Sequence, residues 1–414
     1  MATTLDITTF KKIKEFILKD INLRDGAIKA ESDPFWQSLK NTGTELWLDT
    51  GDIEEASKIW KKEMTALTTN NTLLNMEIQK GIYDTLIKEA NEMLKGLDIK
   101  KRIIEIAFIL NARHGLRLVE KFGARVSVEL HTDVAHDIEN TVYYAKRFYD
   151  ICPESFIIKI PFTPSGLIGA RKLRELNIAI NFTLAFSARQ NAVIAHCVKP
   201  NYLNVFLGRL NAYISGNKLG SGDNVGEKAT IASQKAVHQI TGKNPLPTKQ
   251  IAASMRGGSQ LASLAGIDVF TMPIKVAQEG YKNLKKNFTS KADENYPVTV
   301  NQGLDENGIR MDKLWNVSET EMNFGKSLDK NPPESAQEII DRAHKMGCGD
   351  LFPKLSPEDY RALKEDGKIP VHSKWQERIK NSEVAIDTIL NLAGLASFET
   401  DQAAMDARVE GLIS

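Results

Sequence analysis

Eight short apolar runs, each followed by a stretch of helical pattern, limit what this chain can fold into. The runs are ELWLDT (45–50), ALTTN (66–70), RVSVEL (125–130), FIIKIP (156–161), IAINFTL (178–184), YLNVFL (202–207), KQIAAS (249–254) and DVFTMP (268–273). Short runs dominated by Ile, Val, Leu and Phe are what strands buried on both faces of a parallel sheet require. The intervening segments include DIEEASKIWKKE (52–63), DIENTVYYAKRFYDI (137–151) and SARQNAVIAHCV (187–198). The first two open with an aspartate before an apolar-periodic run, an N-cap signal. Eight strand-then-helix units across residues 44–280 predict a (β/α)8 barrel, the TIM-barrel architecture, which takes about 250 residues. The competing arrangement is an open doubly wound sheet. No Gly-rich dinucleotide fingerprint follows any of these runs, which counts against it.

The flanks read differently. Residues 1–43 are polar and helical in pattern, with FWQSL (35–39) as a docking patch. Residues 281–414 carry the amphipathic segments SAQEIIDRAHKM (335–346), PEDYRALKEDG (357–367) and SEVAIDTILNLAGLASF (382–398), broken at LDKNPPES (328–335) and LFPKLSP (351–357). They predict α-helical N- and C-terminal extensions, the second packed on the barrel. Two helical segments, near 74–95 and 98–121, fill the long gap between the second and third runs. SGNKLGSGDNVG (215–226) reads as an exposed, mobile loop on the rim.

Composition narrows the class of partner. Among 414 residues, 54 Lys and Arg face 53 Asp and Glu, a net charge of +1. That balance argues against broad binding to nucleic acid or to a membrane surface, yet leaves room for a small anion site. Cys152, Cys197 and Cys348 fit neither a metal spacing nor a disulfide framework, so a reducing, cytoplasmic setting is expected. MATTLDITTFKKIKEF lacks the apolar core of a signal peptide, and no run reaches the length of a membrane span. A homodimer is expected only by analogy with barrel enzymes in general.

In such a barrel the chemistry sits at the C-terminal ends of the strands. Polar residues stand there on nearly every one: Asp49, Thr68 and Asn70, Glu129, Lys159, Asn181 and Thr183, Asn204, and Ser254 with Arg256 just beyond. Lys159 is flanked by Ile157, Ile158, Ile160 and Pro161. A lysine stripped of water gives up its proton more readily, and the free amine attacks carbonyls to form a Schiff base. A lone strand lysine more often snorkels outward or pairs with an acid. Two carboxylates, Asp49 and Glu129, brought near it would be general acid/base candidates. Asn70 and Asn181 suit substrate hydroxyls, although a strand-end Asn or Asp also commonly caps the next helix. Arg209, in FLGR, and Arg256, in SMRGG, follow adjacent strands and could clamp a phosphate, which Gly257 and Gly258 would let approach the backbone. An ordinary surface arginine is the competing reading for each.

These segments resemble the transaldolases, class I Schiff-base aldolases of the pentose phosphate pathway. WLDTGDIEE, LTTNNTLL, VSVEL, IIKIPFTPSGLIGARKL, INFTLAFSARQ, VFLGRL and ASMRGG carry the resemblance, over roughly residues 44–280. It implies a transferase that moves a dihydroxyacetone unit between sugar phosphates, with no metal or other cofactor. It implies Lys159 as the Schiff-base lysine and Asp49 as the base that deprotonates the hydroxyl next to the breaking bond. Glu129 and Thr183 would hold a water for proton shuttling. Thr68, Asn70, Asn181 and Asn204 would line the dihydroxyacetone side, with Phe206 as a wall. Arg209, Arg256 and Ser254 would form the phosphate site. The chain also departs from the family's pattern. Asn71 stands where a proline usually follows Thr-Thr-Asn, Asn204 where a serine usually precedes the Gly-Arg, and His131 where an acidic residue usually follows the glutamate.

Two other functions fit the same residues. A fructose-6-phosphate aldolase type would release free dihydroxyacetone, but it usually has Gln and Tyr at the positions of Glu129 and Phe206. A barrel that binds sugar phosphates without chemistry would not need Asp49, Glu129 and Lys159 together.

Overall fold

The computed structural model describes residues 5–24 and 26–414. The apolar runs form eight parallel strands: β1 (Glu45–Asp49), β2 (Met64–Thr68), β3 (Arg125–Glu129), β4 (Phe156–Pro161), β5 (Ile180–Thr183), β6 (Tyr202–Phe206), β7 (Lys249–Ala253) and β8 (Val269–Pro273). They pair in chain order, and β1 also pairs with β8, so the sheet closes into a (β/α)8 barrel. The open-sheet alternative is excluded.

Alternation along each strand decides what fills the barrel. Trp47 and Tyr202 meet near its N-terminal end with ring centroids 4.7 Å apart. Arg125 donates to the Tyr202 hydroxyl at 2.7 Å, and Lys249 pairs with Glu45. One layer up, Asn181 Nδ2 donates to Ser127 Oγ at 3.0 Å, and Asn204 Nδ2 donates to Asn181 Oδ1 at 3.3 Å. The outward-facing residues, such as Leu46, Leu48, Val126, Val128, Ile158, Ile160, Leu203 and Val205, are buried under the helices. The main apolar core is therefore the shell between strands and helices, while polar side chains run along the barrel axis among Trp47, Ile157 and Ile251.

Local chemistry moves several boundaries from their sequence expectations. β2 ends at Thr68, because Asn70 leaves the strand to cap the helix Asn71–Gln79; its side chain accepts the Leu73 N–H. Asp52, not Asp49, caps the helix Ile53–Ile59. The segment near 74–95 is two helices, Asn71–Gln79 and Asp84–Met93, parted at Gly81, whose φ of 80° interrupts helical geometry. The expectation of an exposed loop at 215–226 holds in part: Ser215, Gly216, Lys218, Ser221 and Asp223 are exposed. Leu219, Gly220, Gly222 and Val225 are buried, Gly220 bridges Val300, and the Asn301 N–H donates to the Leu219 carbonyl at 2.9 Å. Helix Val225–Thr241 begins within this stretch, and Gly226 lies so close to Leu207 that a Cβ would fall 2.2 Å from its carbonyl oxygen.

Both flanks pack on the barrel. Phe35 and Trp36 are buried, and Phe35 meets Tyr281 and Phe288 edge-on at 5.3 and 5.2 Å. Beyond residue 305 come the helices Glu306–Ile309, Glu319–Lys330, Ala336–Lys345, Pro357–Asp366 and Gln376–Lys380, then the closing helix Ile386–Ile413. The closing helix runs well past the predicted 382–398. Its N-terminal end is fixed by Arg189, fully buried on the helix Ala188–Cys197 after β5. The guanidinium donates to both Asp387 oxygens at 2.8 Å, to Asp350 at 2.8 Å and to Glu321 at 3.1 Å. Burial alone would raise the Asp387 pKa. The Arg189 charge and hydrogen bonds, with the Ser187 hydroxyl, outweigh it and hold the carboxyl below its usual range. One turn on, Asn391 Nδ2 donates to the Phe162 and Leu184 carbonyls at 3.1 and 2.7 Å, just beyond β4 and β5.

Removing one partner from such a cluster leaves buried charge uncompensated. Arg189→Ala should lower unfolding free energy by about 3–5 kcal/mol, read by chemical denaturation. A loss below about 1 kcal/mol would mean that the three carboxylates do not depend on Arg189.

Candidate active site

The register brings the chemistry together. Glu129, Lys159 and Asn181 are paired neighbours on β3, β4 and β5, so the three stand at one level around the barrel. Asp49 and Thr68 are paired on β1 and β2. Lys159 is 3 % exposed. Its Nζ lies 3.4 Å from Glu129 Oε2 and donates to the Thr69 carbonyl at 3.0 Å. Thr68 Oγ1 donates to Asp49 Oδ1 at 2.7 Å and lies 2.6 Å from Thr271 Oγ1.

Above them opens a cavity of about 130 Å³. Asp49, Thr68, Asn70, Lys159, Asn204, Phe206, Arg209, Ser254 and Arg256 all border it. Glu129, Asn181 and Thr183 do not; they lie buried beside or beneath it. Thr183 Oγ1, Glu129 Oε2 and Asn204 Oδ1 are buried without a hydrogen-bond partner among the described residues. Asn181 has both amide atoms engaged, with Ser127 and Asn204. Ser254 sits at the β7 end with φ 61°, a left-handed turn that carries the chain toward Arg256.

The electrostatics follow from burial. Desolvation raises the pKa of Asp49; Lys159, the Thr68 hydrogen bond and Arg256 pull it the other way without cancelling that rise. Glu129 is raised for the same reason, against Lys159 and an Asn71 backbone N–H. Arg209 is held down to about 10 by burial and by the like charge of Arg256. It stays cationic at neutral pH, and its Nε and Nη1 have no hydrogen-bond partner among the described residues. Phe206 lies 5.2 Å from its guanidinium carbon, a cation–π contact that orients the group without neutralising it.

Several lining residues were not among the sequence candidates, Thr271, Phe398 and Lys368 among them. Thr271, on β8, could have been found from the alternation in DVFTMP. Phe398 comes from the closing helix, 5.9 Å from Lys159 Nζ and 5.7 Å from Arg209. Gly394, one turn before it, permits that approach: a Cβ there would fall 3.0 Å from Arg209 Nη1 and 2.8 Å from Leu184. Lys368 comes from the turn after the helix Pro357–Asp366, and no sequence signal marks it.

Two of the departures from the family's pattern meet the same helix. Asn71 Nδ2 donates to Gln402 Oε1 at 2.6 Å. His131 Nε2 lies 3.2 Å from Asp406 Oδ2, and Gln402 donates to Asp406 at 2.8 Å. Asn71 is also the first residue of its helix, a position that proline favours. Here that position gives up proline's preset φ and gains a link to the helix that carries Phe398.

A closed parallel barrel with a buried lysine beside a carboxylate, facing a cationic cleft at the strand ends, defines an aldolase-type site. The chain belongs to the transaldolase/fructose-6-phosphate aldolase family, whose model matches residues 46–329. It is 28% identical to the transaldolase of Kluyveromyces lactis over 254 residues, 59% of this chain and 74% of that one. It is 25% identical over 295 residues to a probable transaldolase of Dictyostelium discoideum, covering 69% and 90% of the two chains. A Protochlamydia amoebophila transaldolase is 25% identical over 307 residues, covering 69% and 92%. Among the described residues no helix is long and apolar enough to cross a membrane.

Asn71→Pro tests the link. It removes both the Gln402 bond and the N–H that faces Glu129, so a net loss of about 1–3 kcal/mol is expected, read as a lower Tm. An unchanged or higher Tm would show that proline's rigidity outweighs them.

Proposed function

We propose that this barrel transfers a dihydroxyacetone unit from a ketose phosphate to an aldose phosphate through a Schiff base on Lys159. The observation that carries the reading is Lys159, buried 3.4 Å from Glu129 at a cavity that Asp49 and two arginines also border. Glu129, 3.4 Å from Nζ, would take the ammonium proton, and the free amine would then attack the ketose C2 carbonyl. Loss of water from the carbinolamine gives a cationic imine, an electron sink next to C3. Asp49 removes the proton of the C4 hydroxyl, the C3–C4 bond breaks, and the aldehyde leaves. The remaining three carbons stay on Lys159 as an enamine until a second aldehyde adds; water then hydrolyses the imine and frees the product. The Thr183 hydroxyl, without a hydrogen-bond partner among the described residues, and Glu129 Oε2, which meets only Lys159, suit a water that carries protons in these steps. Phe398 and Phe206 border the cavity and help keep bulk water from the enamine. Arg209, Arg256 and Ser254 would hold the phosphate, and Thr68, Asn70 and Asn204 the sugar hydroxyls.

Borohydride reduction in the presence of fructose 6-phosphate, followed by mass spectrometry, should leave a stable adduct on Lys159. Lys159→Met should lose the adduct and all transfer while keeping the far-UV spectrum of the parent. Folded protein that forms no adduct with any ketose phosphate tested would sink the Schiff-base reading. Chromatography of the products separates transfer from release of free dihydroxyacetone.

The pH profile is a second test. The raised pKa of Asp49 leaves more of it protonated, and so unable to accept a proton, at any given acidic pH. The acid limb of kcat/KM should reach half its plateau clearly above the ordinary aspartate value of 3.8. A limb at or below that value would remove Asp49 as the base.

A further inference from the structure

The cavity carries more positive charge than cleavage of a ketose needs. Lys159, Arg209, Arg256 and Lys368 border it, and Asp49 is the one carboxylate among its lining residues. Asp401 and Glu129 act on Arg209 only from outside that lining. Among the described residues, the side chains of Arg256 and Lys368 make no hydrogen bond or salt bridge, and Arg209 keeps Nε and Nη1 unpartnered. Three cations that border one cleft and form no direct ion pair among the described residues are the arrangement that a dianion completes.

Lys368 is set there by a braced turn. Gly367, with φ 72°, lets the chain reverse after the helix Pro357–Asp366. Asp366 accepts the Val371 N–H at 2.9 Å and pairs with Lys374. Asn217 donates to the Pro370 carbonyl at 3.0 Å and accepts the His372 N–H at 2.8 Å, while the Tyr213 hydroxyl lies 2.7 Å from His372 Nδ1. Tyr213 lies on the helix Leu207–Gly216 and Asn217 caps its end; that helix carries Arg209 in its first turn. One helix thus positions a cation from the barrel and holds the turn that presents a cation from the C-terminal region.

We propose that Lys368 is a specificity-determining residue: a third cation, supplied by the C-terminal region, for the phosphate of the substrate. The proposal deepens the reading above and rests on it for the substrate class. Arg209 and Arg256 offer planar donors, and Lys368 adds a mobile point charge at the solvent side, where it meets a phosphate as it enters.

Lys368→Met removes the charge and keeps most of the stem. KM for glyceraldehyde 3-phosphate as acceptor should rise about tenfold, while KM for unphosphorylated glyceraldehyde stays at the parent value. Lys368→Arg should restore most of the preference. Inorganic phosphate gives a readout that needs no turnover: by calorimetry the Met variant should bind it about tenfold more weakly than the parent. Equal phosphate affinity, or an equal change in KM for both acceptors, would overturn the role of Lys368. Borohydride trapping on Lys159 in the same variant separates the two failures. Trapping that persists with an unmoved phosphate preference refutes Lys368 alone, and absence of trapping in the parent refutes the Schiff-base reading.

Discussion

The candidate site depends on strand register. β4 is locked to β3 on one side and β5 on the other, and the pairing puts Lys159 level with Glu129 and Asn181. A slip of one residue would turn Ile158 or Ile160 into the barrel and push the lysine into the apolar shell under the helices. Closure removes that freedom, because a shift in one strand must be absorbed by all eight. The polar axis is tolerable for the same reason. Ser127, Asn181 and Asn204 satisfy one another across strands, so most amide groups are paired where water is scarce. Thr183 Oγ1 and Asn204 Oδ1 are left without a hydrogen-bond partner among the described residues, and Glu129 Oε2 has only the Lys159 ion pair.

The second dependence is on the closing helix. Arg189 and its three carboxylates fix where it starts, Asn391 ties it to the ends of β4 and β5, and Asn71 and His131 hold its later turns. Phe398 lies between these anchors. A buried ion cluster is a poor source of net stability but a strict positional device, since any misplacement strands charge away from water. That trade suits a helix whose task is to bring one aromatic ring within 6 Å of a lysine.

The barrel was legible because its strands are short, apolar and regularly spaced, and because parallel strands buried on both faces have little compositional freedom. Lys159 stood out for the same reason: a charge in FIIKIP breaks a pattern that nothing else explains. Asn70 shows the limit of pattern alone. ALTTN reads as strand to its last residue, yet the cap bond to the Leu73 N–H ends the strand early. SGNKLGSGDNVG misled in part because some of its glycines serve close packing; Gly220 and Gly226 each lie where a Cβ would strike a backbone carbonyl. Lys368 and Phe398 were illegible as site residues. Each belongs to a locally ordinary amphipathic segment, and only tertiary packing across more than 150 residues brings either one to the strand ends.

The connectivity of the Arg189 cluster bears on biosynthesis. Arg189 and Asp387 are 198 residues apart in sequence. During synthesis from the N-terminus, β8 is available to close the sheet more than 100 residues before Asp387 is made. A barrel closed at that stage would hold Lys159, Asp49 and Glu129 before Arg189 met Asp387. Its cleft would have Phe206 but not yet Phe398. The lining of the cleft is complete only with the last helix in place.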